Sequence, residues 1–541
     1  MTPRADLVVC GSVVVAAEPT GLVIDEAVGI ADGRVVAVGD RKDVLVAAHP
    51  GARVVDAGSA AVVPGLHDFH IHLVGLARSR MTLGLDDAQD GGEALDCIRQ
   101  RATATAPGAW VTGRGWSEAQ LGTVIPTVIE EAAHGRPVFL TSHDGHSAWA
   151  SAAAFRLAGI SGITPDPAGG RLERNESGDP TGFLRETALD LVSTVVTRLQ
   201  GDSLRDTLGA TLGELAALGI TGASEAGDYT DRNGVGVDAA LGDSYSSLTD
   251  LAGVVDGRLR LTLGIPVDAI EAAAARGFRT GQPLEGRRTM RFGWAKEYAD
   301  GALGSGTAAL FSPSSCRDRD IGIMRVTPDE LDGIFEAGRR AGIGLAVHAI
   351  GDRAAAAILD AVDRAPGRLP GVPNDRMEHV QLLRAQDRSR LAALGITASI
   401  QPIHAAADRD LVESCWQGRQ ADAYAWNSLA AEAALLAAGS DAPVESVNPW
   451  LGIFAAVHRR MPGDQRGDWR PTEALTFAAA LHAFTLGPAI ALGLTDEGHL
   501  RIGARADLAV LSTDLDTLTR ADESLAAVRS ELTLVDGRPT S

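Results

Sequence analysis

From residue 206 to residue 484 the chain alternates short apolar runs with alanine-rich stretches of helical period, and this rhythm constrains the fold more than any other feature. Leu345–Ala349 follows a helical stretch at Pro328–Ala341, the run 397–401 follows Ala385–Leu394, and the run 436–440 follows a helical stretch at 426–435. Residues 377–380 form a further run of the same kind. Apolar runs this short, separated by helices, read as parallel strands covered on both faces, because neighbouring parallel strands need a crossover between them. About eight such strands predict an α/β fold of the closed (β/α)8 type. An open doubly wound sheet would use the same units, but the glycine fingerprint of a dinucleotide-binding turn is missing.

The two ends of the chain read differently. Valine-rich alternation at 6–17, runs at 27–31 and 34–38 around Asp32 and Gly33, and runs at 53–56 and 60–63 predict short strands with a tight Asp-Gly hairpin. Runs at 500–502, 508–511 and 532–535 have the same texture. One small β-sandwich is expected from both termini, with residues 1–63 and 485–541 as its parts and the barrel drawn from 64–81 and 206–484. Residues 82–205 do not fit the repeat and read as an inserted domain capping the barrel mouth.

Six residues fall late in these apolar runs, where a barrel enzyme gathers its chemistry. In VVPGLHDFHIHL (62–73) His70 and His72 are two apart, so a strand turns both imidazoles to one face, where they can grip one cation. Lys296 lies in MRFGWAKEYADG, His348 ends GLAVH, His379 ends RMEH and Asp441 ends LLAAGSD. Nitrogen and oxygen donors without thiolate favour Zn2+, one ion or two, with other divalent transition metals acceptable. A lone histidine on an apolar strand is more often core than ligand; the paired spacing and the recurrence at strand ends decide for metal. Asp68 shares the face of the pair but lies deeper, as a support for it, while His67 points to the other face.

Of the 49 basic residues only two are lysine, Lys42 and Lys296. An ammonium beside divalent cations is repelled, and desolvation drives it neutral. The neutral amine can add CO2 and become an anionic carbamate able to bridge two metals, whereas arginine stays protonated. Lysine at 296 therefore predicts a CO2-derived carbamate, although Lys42 survives in a turn with no such duty.

With 49 basic and 70 acidic residues the formal net charge is −21, which repels a phosphate backbone or an anionic bilayer. The expected partner is a small-molecule substrate, not nucleic acid or membrane, and a homodimer is compatible with the sequence. The cysteines Cys10, Cys97, Cys316 and Cys415 are far apart without a CxxC pair. That spacing predicts neither a disulfide framework nor a thiolate zinc site, and it fits a cytoplasmic protein.

The segments PGLHDFHIHL, GRGWSEAQ (113–120), SHDGHSAWASAAAF (142–155), KEYADGALGSGTAAL (296–310), VHAIGDRA (347–354), RMEHVQLL (376–383), SIQPIHA (399–405), GSDAPVESVNPW (439–450) and GARADLAVL (503–511) run along nearly the whole chain. In this order they resemble the amidohydrolase superfamily, and within it the branch called amidohydrolase family 3, which includes N-substituted formamide deformylases. The resemblance implies a metal-bearing barrel, a β-sandwich from both termini and hydrolysis of non-peptide C–N bonds. Carried over by position, it implies His70 and His72 on one metal, His348 and His379 on the other or on substrate, Lys296 as a bridge and Asp441 as proton shuttle. The pattern departs at Gly306, where many relatives carry arginine, and at His67, where an apolar residue is usual.

The expected function is metal-dependent hydrolysis of a linear amide, such as an N-substituted formamide or N-acyl amine. Asp441 would take a proton from water of lowered pKa and pass it to the leaving nitrogen, while the metal or a neutral imidazole such as His379 polarises the carbonyl. Expected substrate contacts are Trp116, His143, His146, Trp149, Tyr298, Gln401 and His404, with His146 favoured and core packing an equal alternative for the aromatics. The same water attack would serve a deaminase or a cyclic amide or urea hydrolase. A non-catalytic regulatory or binding protein on the same barrel would be expected to lose part of the ligand set.

Overall fold

The computed structural model describes residues 4–116, 125–196, 202–227, 241–316 and 320–540, so that residues 117–120 of the GRGWSEAQ segment lie outside the described residues. Strands β1 (Leu7–Glu18), β2 (Gly21–Ala31), β3 (Arg34–Gly39) and β4 (Arg53–Pro64) join β19 (Leu508–Asp514), β20 (Ser530–Val535) and β21 (Arg538–Pro539) in one seven-stranded sheet, ordered β21-β20-β19-β4-β1-β2-β3. The termini thus hydrogen-bond as one continuous sheet. β1 runs antiparallel to β2 and parallel to β4 at its centre. Val8 and Val9 are both buried, against different apolar clusters, because β1 is covered on both faces. Asp32 and Gly33 take φ of +50° and +75°, the left-handed pair that a tight hairpin between β2 and β3 needs. The predicted runs 53–56 and 60–63 are one strand, irregular in register where Gly11 passes Ala60; a Cβ on Gly11 would lie 2.8 Å from Ala60 O. The run 500–502 is not a strand: Leu500 N donates to Val15 O at 2.7 Å and the chain then turns.

The barrel consists of β5 (Leu66–Ile71), β12 (Ile220–Glu225), β13 (Arg260–Pro266), β14 (Met290–Tyr298), β15 (Leu345–Ala349), β16 (Arg376–His379), β17 (Thr397–Ile400) and β18 (Leu436–Ala438), paired in parallel in chain order. It closes between β18 and β5. Asp441 N donates to His70 O at 2.7 Å, His72 N to Ala442 O at 2.9 Å, and Ser440 N to Asp68 Oδ1 at 2.9 Å. Gly439 permits this seam, since a Cβ there would sit 2.2 Å from His70 N. The crossover helix Pro328–Ala341 begins at a reciprocal cap between Thr327 and Glu330, with proline in its first turn, and ends at Gly342 with φ +69°. Helix Trp426–Ala431 stops short of residue 435 because the backbone turns left-handed at Ala433, φ +60°.

Between β5 and β12 the chain builds a second unit on a six-stranded sheet. Its strands are β6 (Leu83–Gly84), β7 (Val111–Trp116), β8 (Val138–Ser142), β9 (Ser147–Ala150), β10 (Gly170–Arg174) and β11 (Pro180–Glu186), ordered β10-β11-β9-β8-β7-β6. Trp116 stacks on Trp149 with ring centroids 4.7 Å apart, Phe183 packs on both, and Trp116 Nε1 donates to Leu140 O at 2.7 Å. Both tryptophans are buried in the core of this unit, as the packing alternative for the aromatics expects. The turn between β8 and β9 faces the barrel. There His143 lies between Asp86 (3.2 Å) and Glu445 (3.4 Å), and His146 meets Tyr298 and His348.

Cys316 and Cys415 form a disulfide, contrary to the expectation from cysteine spacing. They are 99 residues apart and meet because the loop after β14 docks on helix Arg409–Cys415. Ser315 N donates to Cys415 O at 2.8 Å, and Arg419 donates to the carbonyls of Ser312 and Pro313 at 3.0 and 3.1 Å. Spacing along a chain reports local motifs, whereas this pairing joins a loop to the end of a helix 99 residues on. Among the described residues, no helix is long and apolar enough to cross a membrane.

Candidate metal centre

β5 delivers the first ligands by simple alternation. Asp68, His70 and His72 turn one way, and His67 and Phe69 turn the other. His67 is spoken for: its Nε2 lies 3.0 Å from Ser224 Oγ, and Gly222 leaves room for the ring, since a Cβ there would meet Nδ1 at 2.4 Å. Burial pushes the His67 pKa down to about 3, so the ring is neutral packing between β5 and β12. Asp68 accepts from Ser440 N, Ser440 Oγ (2.6 Å) and His70 N (3.3 Å), tying the loop of Asp441 to the loop of His70.

The imidazoles converge on Asp441. His70 Nε2 and His72 Nε2 each lie 3.3 Å from Asp441 Oδ1; His404 Nε2 lies 3.5 Å and His379 Nδ1 4.0 Å from Asp441 Oδ2. His70 Nε2, His379 Nδ1, His404 Nε2 and Asp441 Oδ1 are buried without a hydrogen bond. The spacings decide what the cluster is for. A charge-assisted N–H···O bond spans about 2.7–2.9 Å, but two ligands at about 2.0–2.1 Å from a tetrahedral ion stand about 3.4 Å apart. Orphaned buried donors at that separation fit a divalent cation among them. Burial resists ionisation of Asp441, but His70 and His72 hold its carboxyl well below the usual range. His379 is kept neutral, chiefly by burial, as a ligand must be.

Two of these residues sit on unusual backbone. His379 has φ +72° and Asp441 φ +61°, both in the left-handed region that costs a residue with a Cβ about 1–3 kcal/mol. At the end of β16 this lets consecutive side chains, Glu378 and His379, both address the site. Glu378 is fully buried and accepts from His70 Nδ1 at 2.5 Å, which leaves the Nε2 lone pair of His70 open toward Asp441. Burial opposes its charge, yet the Arg376 guanidinium and His70 hold Glu378 well below the usual carboxylate range. Glu378 carries no ligand spacing in the sequence; its one signal is the Arg376/Glu378 pair on one face of a buried strand.

His348 Nε2 donates to Gly301 O at 3.1 Å, so its Nδ1 is the nitrogen left with a lone pair. Asp300 Oδ1 lies 3.6 Å from the same Nε2. Asp300 also accepts from Ile350 N (3.0 Å), Gly351 N (2.8 Å) and Ala309 N (2.8 Å), pinning the turn that follows His348. Lys296 is buried on β14, its Nζ 4.7 Å from the Tyr298 ring centroid. Tyr298 therefore lies between Lys296, His146 and His348. His146 gives its Nδ1 to Glu186 Oε2 at 2.9 Å; Glu186 also accepts from Thr307 Oγ1 at 2.5 Å. Although burial works to lower it, Glu186 and Asp144 keep the His146 pKa above its ordinary value. Gln401 is buried at the end of β17 with its Nε2 3.4 Å from Ser399 Oγ.

A family model described as the amidohydrolase family matches residues 53–541. Protein LONG AFTER FAR-RED 3 of Arabidopsis thaliana is 30% identical over 520 residues, spanning 94% of this chain and 88% of that protein. An N-substituted formamide deformylase of Arthrobacter pascens is 28% identical over 528 residues, spanning 95% of this chain and 94% of that enzyme. Among solved structures, an uncharacterized metal-dependent hydrolase from Pyrococcus horikoshii OT3 is similar with a TM-score of 0.72 and 25% identity, over 94% of this chain and 97% of its own.

Proposed function

Because this chain belongs to the amidohydrolase family, we propose that it is a metal-dependent hydrolase cleaving the C–N bond of a linear amide, such as an N-substituted formamide or N-acyl amine. The observation that carries this reading is the approach of His70 Nε2 and His72 Nε2 to one oxygen of Asp441, each at 3.3 Å. The kinship with an N-substituted formamide deformylase along 94% of that enzyme's length supports the choice of substrate class.

His70, His72 and Asp441 would hold the metal, with the His379 ring 5.0 Å from that of His70 and 4.6 Å from that of His348; the nitrogen and oxygen donors suit Zn2+. A bound divalent metal supplies Lewis acidity and a water of near-neutral pKa. Lys296 would carry the carbamate: its neutral amine adds CO2 and releases one proton, leaving an anionic donor in place of an amine. Asp441 accepts a proton from the attacking water at a carboxylate oxygen and returns it to the leaving nitrogen as the C–N bond breaks. Neutral His379 polarises the carbonyl. His146, braced by Glu186, and Tyr298 orient the substrate from the insertion side.

The test is a substrate panel on protein stripped of metal and reloaded with Zn2+, Mn2+ or Co2+. Turnover of N-substituted formamides or N-acyl amines, lost on chelation and restored by metal, is expected. Turnover confined to aminopyrimidines or cyclic ureas would replace the linear-amide reading, and activity indifferent to chelation would end the metal-dependent one.

A further inference from the structure

We propose that Arg459 and Trp426 bind a small monovalent anion, of the size of a halide or formate, among the outer helices and apart from the metal centre. Both side chains are fully buried, on helix Trp426–Ala431 and at the C-terminal end of helix Pro449–His458. Arg459 Nη2 and Trp426 Nε1 have no hydrogen bond among the described residues. Two donors and no acceptor are left in the interior, and buried donors without partners call for an ion or a water.

The guanidinium spends its other nitrogens on carbonyls. Nε donates to Trp469 O at 3.0 Å and Nη1 to Glu473 O at 3.4 Å. Its Cζ lies 4.7 Å from the Trp426 ring centroid and 5.1 Å from that of Trp469, so indole rings cover it. Contact with a ring face is weaker than a charge-assisted hydrogen bond and does not replace one for a desolvated charge. Among the described residues no carboxylate makes an ion pair with Arg459. The one carboxylate that acts on it, Glu473, accepts from Ser428 N and Ser428 Oγ instead, at 3.0 and 2.6 Å. Burial, reinforced by Arg470, pushes the Arg459 pKa down to about 9 against Glu473 and Tyr424, which leaves the group charged at neutral pH. A chain of net charge −21 thus keeps a desolvated cation without a counter-ion beside it, an arrangement far costlier than a paired one.

The surroundings single out this pair of donors. Trp469 gives its own indole N–H to Glu413 Oε1 at 2.8 Å, so only the Trp426 indole lacks an acceptor here. Arg470 Cζ lies 5.7 Å from the Trp469 ring centroid, and its Nη atoms donate to the carbonyls of Ala423 and Ala421. Glu473, Glu413 and Asp422 answer its charge at longer range. Tyr424, Arg459 and Arg470 have φ of +50°, +53° and +47°. Left-handed backbone at three residues with a Cβ persists only where the surroundings over-determine it, as they do at ligand clamps.

Melting of the full-length protein is followed at fixed ionic strength while sodium gluconate, too large for a closed site, is exchanged for chloride, bromide or formate. Wild type should show a saturable rise of about 2 °C at a hundredfold excess over Kd. Arg459→Met should abolish that rise. Trp426→Phe, which removes one N–H and keeps a ring, should move its midpoint to at least about 10-fold higher anion concentration; it carries the test should Arg459→Met fail to fold. Crystals grown in bromide should show an anomalous peak within hydrogen-bond distance of Arg459 Nη2 and Trp426 Nε1. A response confined to formate or to the halides would identify the occupant and support the site. A melting temperature indifferent to the anion, an unshifted midpoint in Trp426→Phe, or a water in place of the bromide peak would overturn it.

Discussion

Glu378 touches no open space, yet it determines which nitrogen His70 offers. Its carboxylate accepts a hydrogen bond from His70 Nδ1–H at 2.5 Å and is held ionised by Arg376, so replacing it with an amide removes the charge that fixes the tautomer. Glu378→Gln should lower Zn2+ affinity by about 10–100-fold with little change in fold; competition with a chromogenic chelator measures it. Lys296→Ala should abolish metal-dependent turnover, and short carboxylates should restore part of it by supplying the missing anion; full activity in the variant would remove the carbamate. At this scale the sequence was most readable where chemistry sits on one strand. The spacing of His70 and His72, and the strand-end places of His348, His379 and Asp441, needed only alternation and chain order. Glu378 showed only as a charge pair with Arg376 on one strand, and Asp300 and Glu186 were not readable, because each acts through residues about 40–50 positions away in the chain.

Strands and helices followed the local code closely. Helix Pro328–Ala341 carries its own start and stop signals in Thr327, Glu330 and Gly342, and its bounds were legible for that reason. The left-handed turns at His379 and Asp441 were not, since no local residue preference demands them; they arise where β16 and β18 end at the crowded barrel mouth. The seam between β18 and β5 depends on Gly439. Gly439→Ala places a Cβ 2.2 Å from His70 N and 2.8 Å from Asp68 Oδ1. Backbone must move, at a cost of about 1–3 kcal/mol, and His70 and Asp441 move apart with it. Denaturant unfolding should register the loss of stability, and metal analysis a loss of bound ion. Trp116 and Trp149 show the converse limit: aromatic residues in a loop-rich insertion look like substrate contacts until the sheet that needs them for a core is in view.

At the scale of the whole molecule, long-range pairings escaped the sequence. The Cys316–Cys415 disulfide joins segments 99 residues apart, and the clasp of His143 ties Asp86 of its own unit to Glu445 of the barrel. The clasp has a pH signature. Hydrogen bonds to Asp86 and Glu445 raise the His143 pKa from 6.5 to about 10. The folded value is the raised one, so the stabilisation is full below about pH 6.5, where the unfolded chain is also protonated, and is lost as pH rises through about 10. The melting-temperature gap between wild type and His143→Gln should be constant below the window and shrink across it. A gap that widens with pH would contradict the clasp.

The barrel, the terminal sheet and the ligand cluster meet in one question, whether this chain holds a metal where His70, His72 and Asp441 converge. Elemental analysis of protein purified without chelator, wild type beside a His70→Ala/His72→Ala variant of matched fold, answers it directly. At least one equivalent of a divalent transition metal per chain in the wild type, absent from the variant, is the predicted result. Equal metal in both proteins, or a metal-free wild type that hydrolyses its substrate, would contradict it.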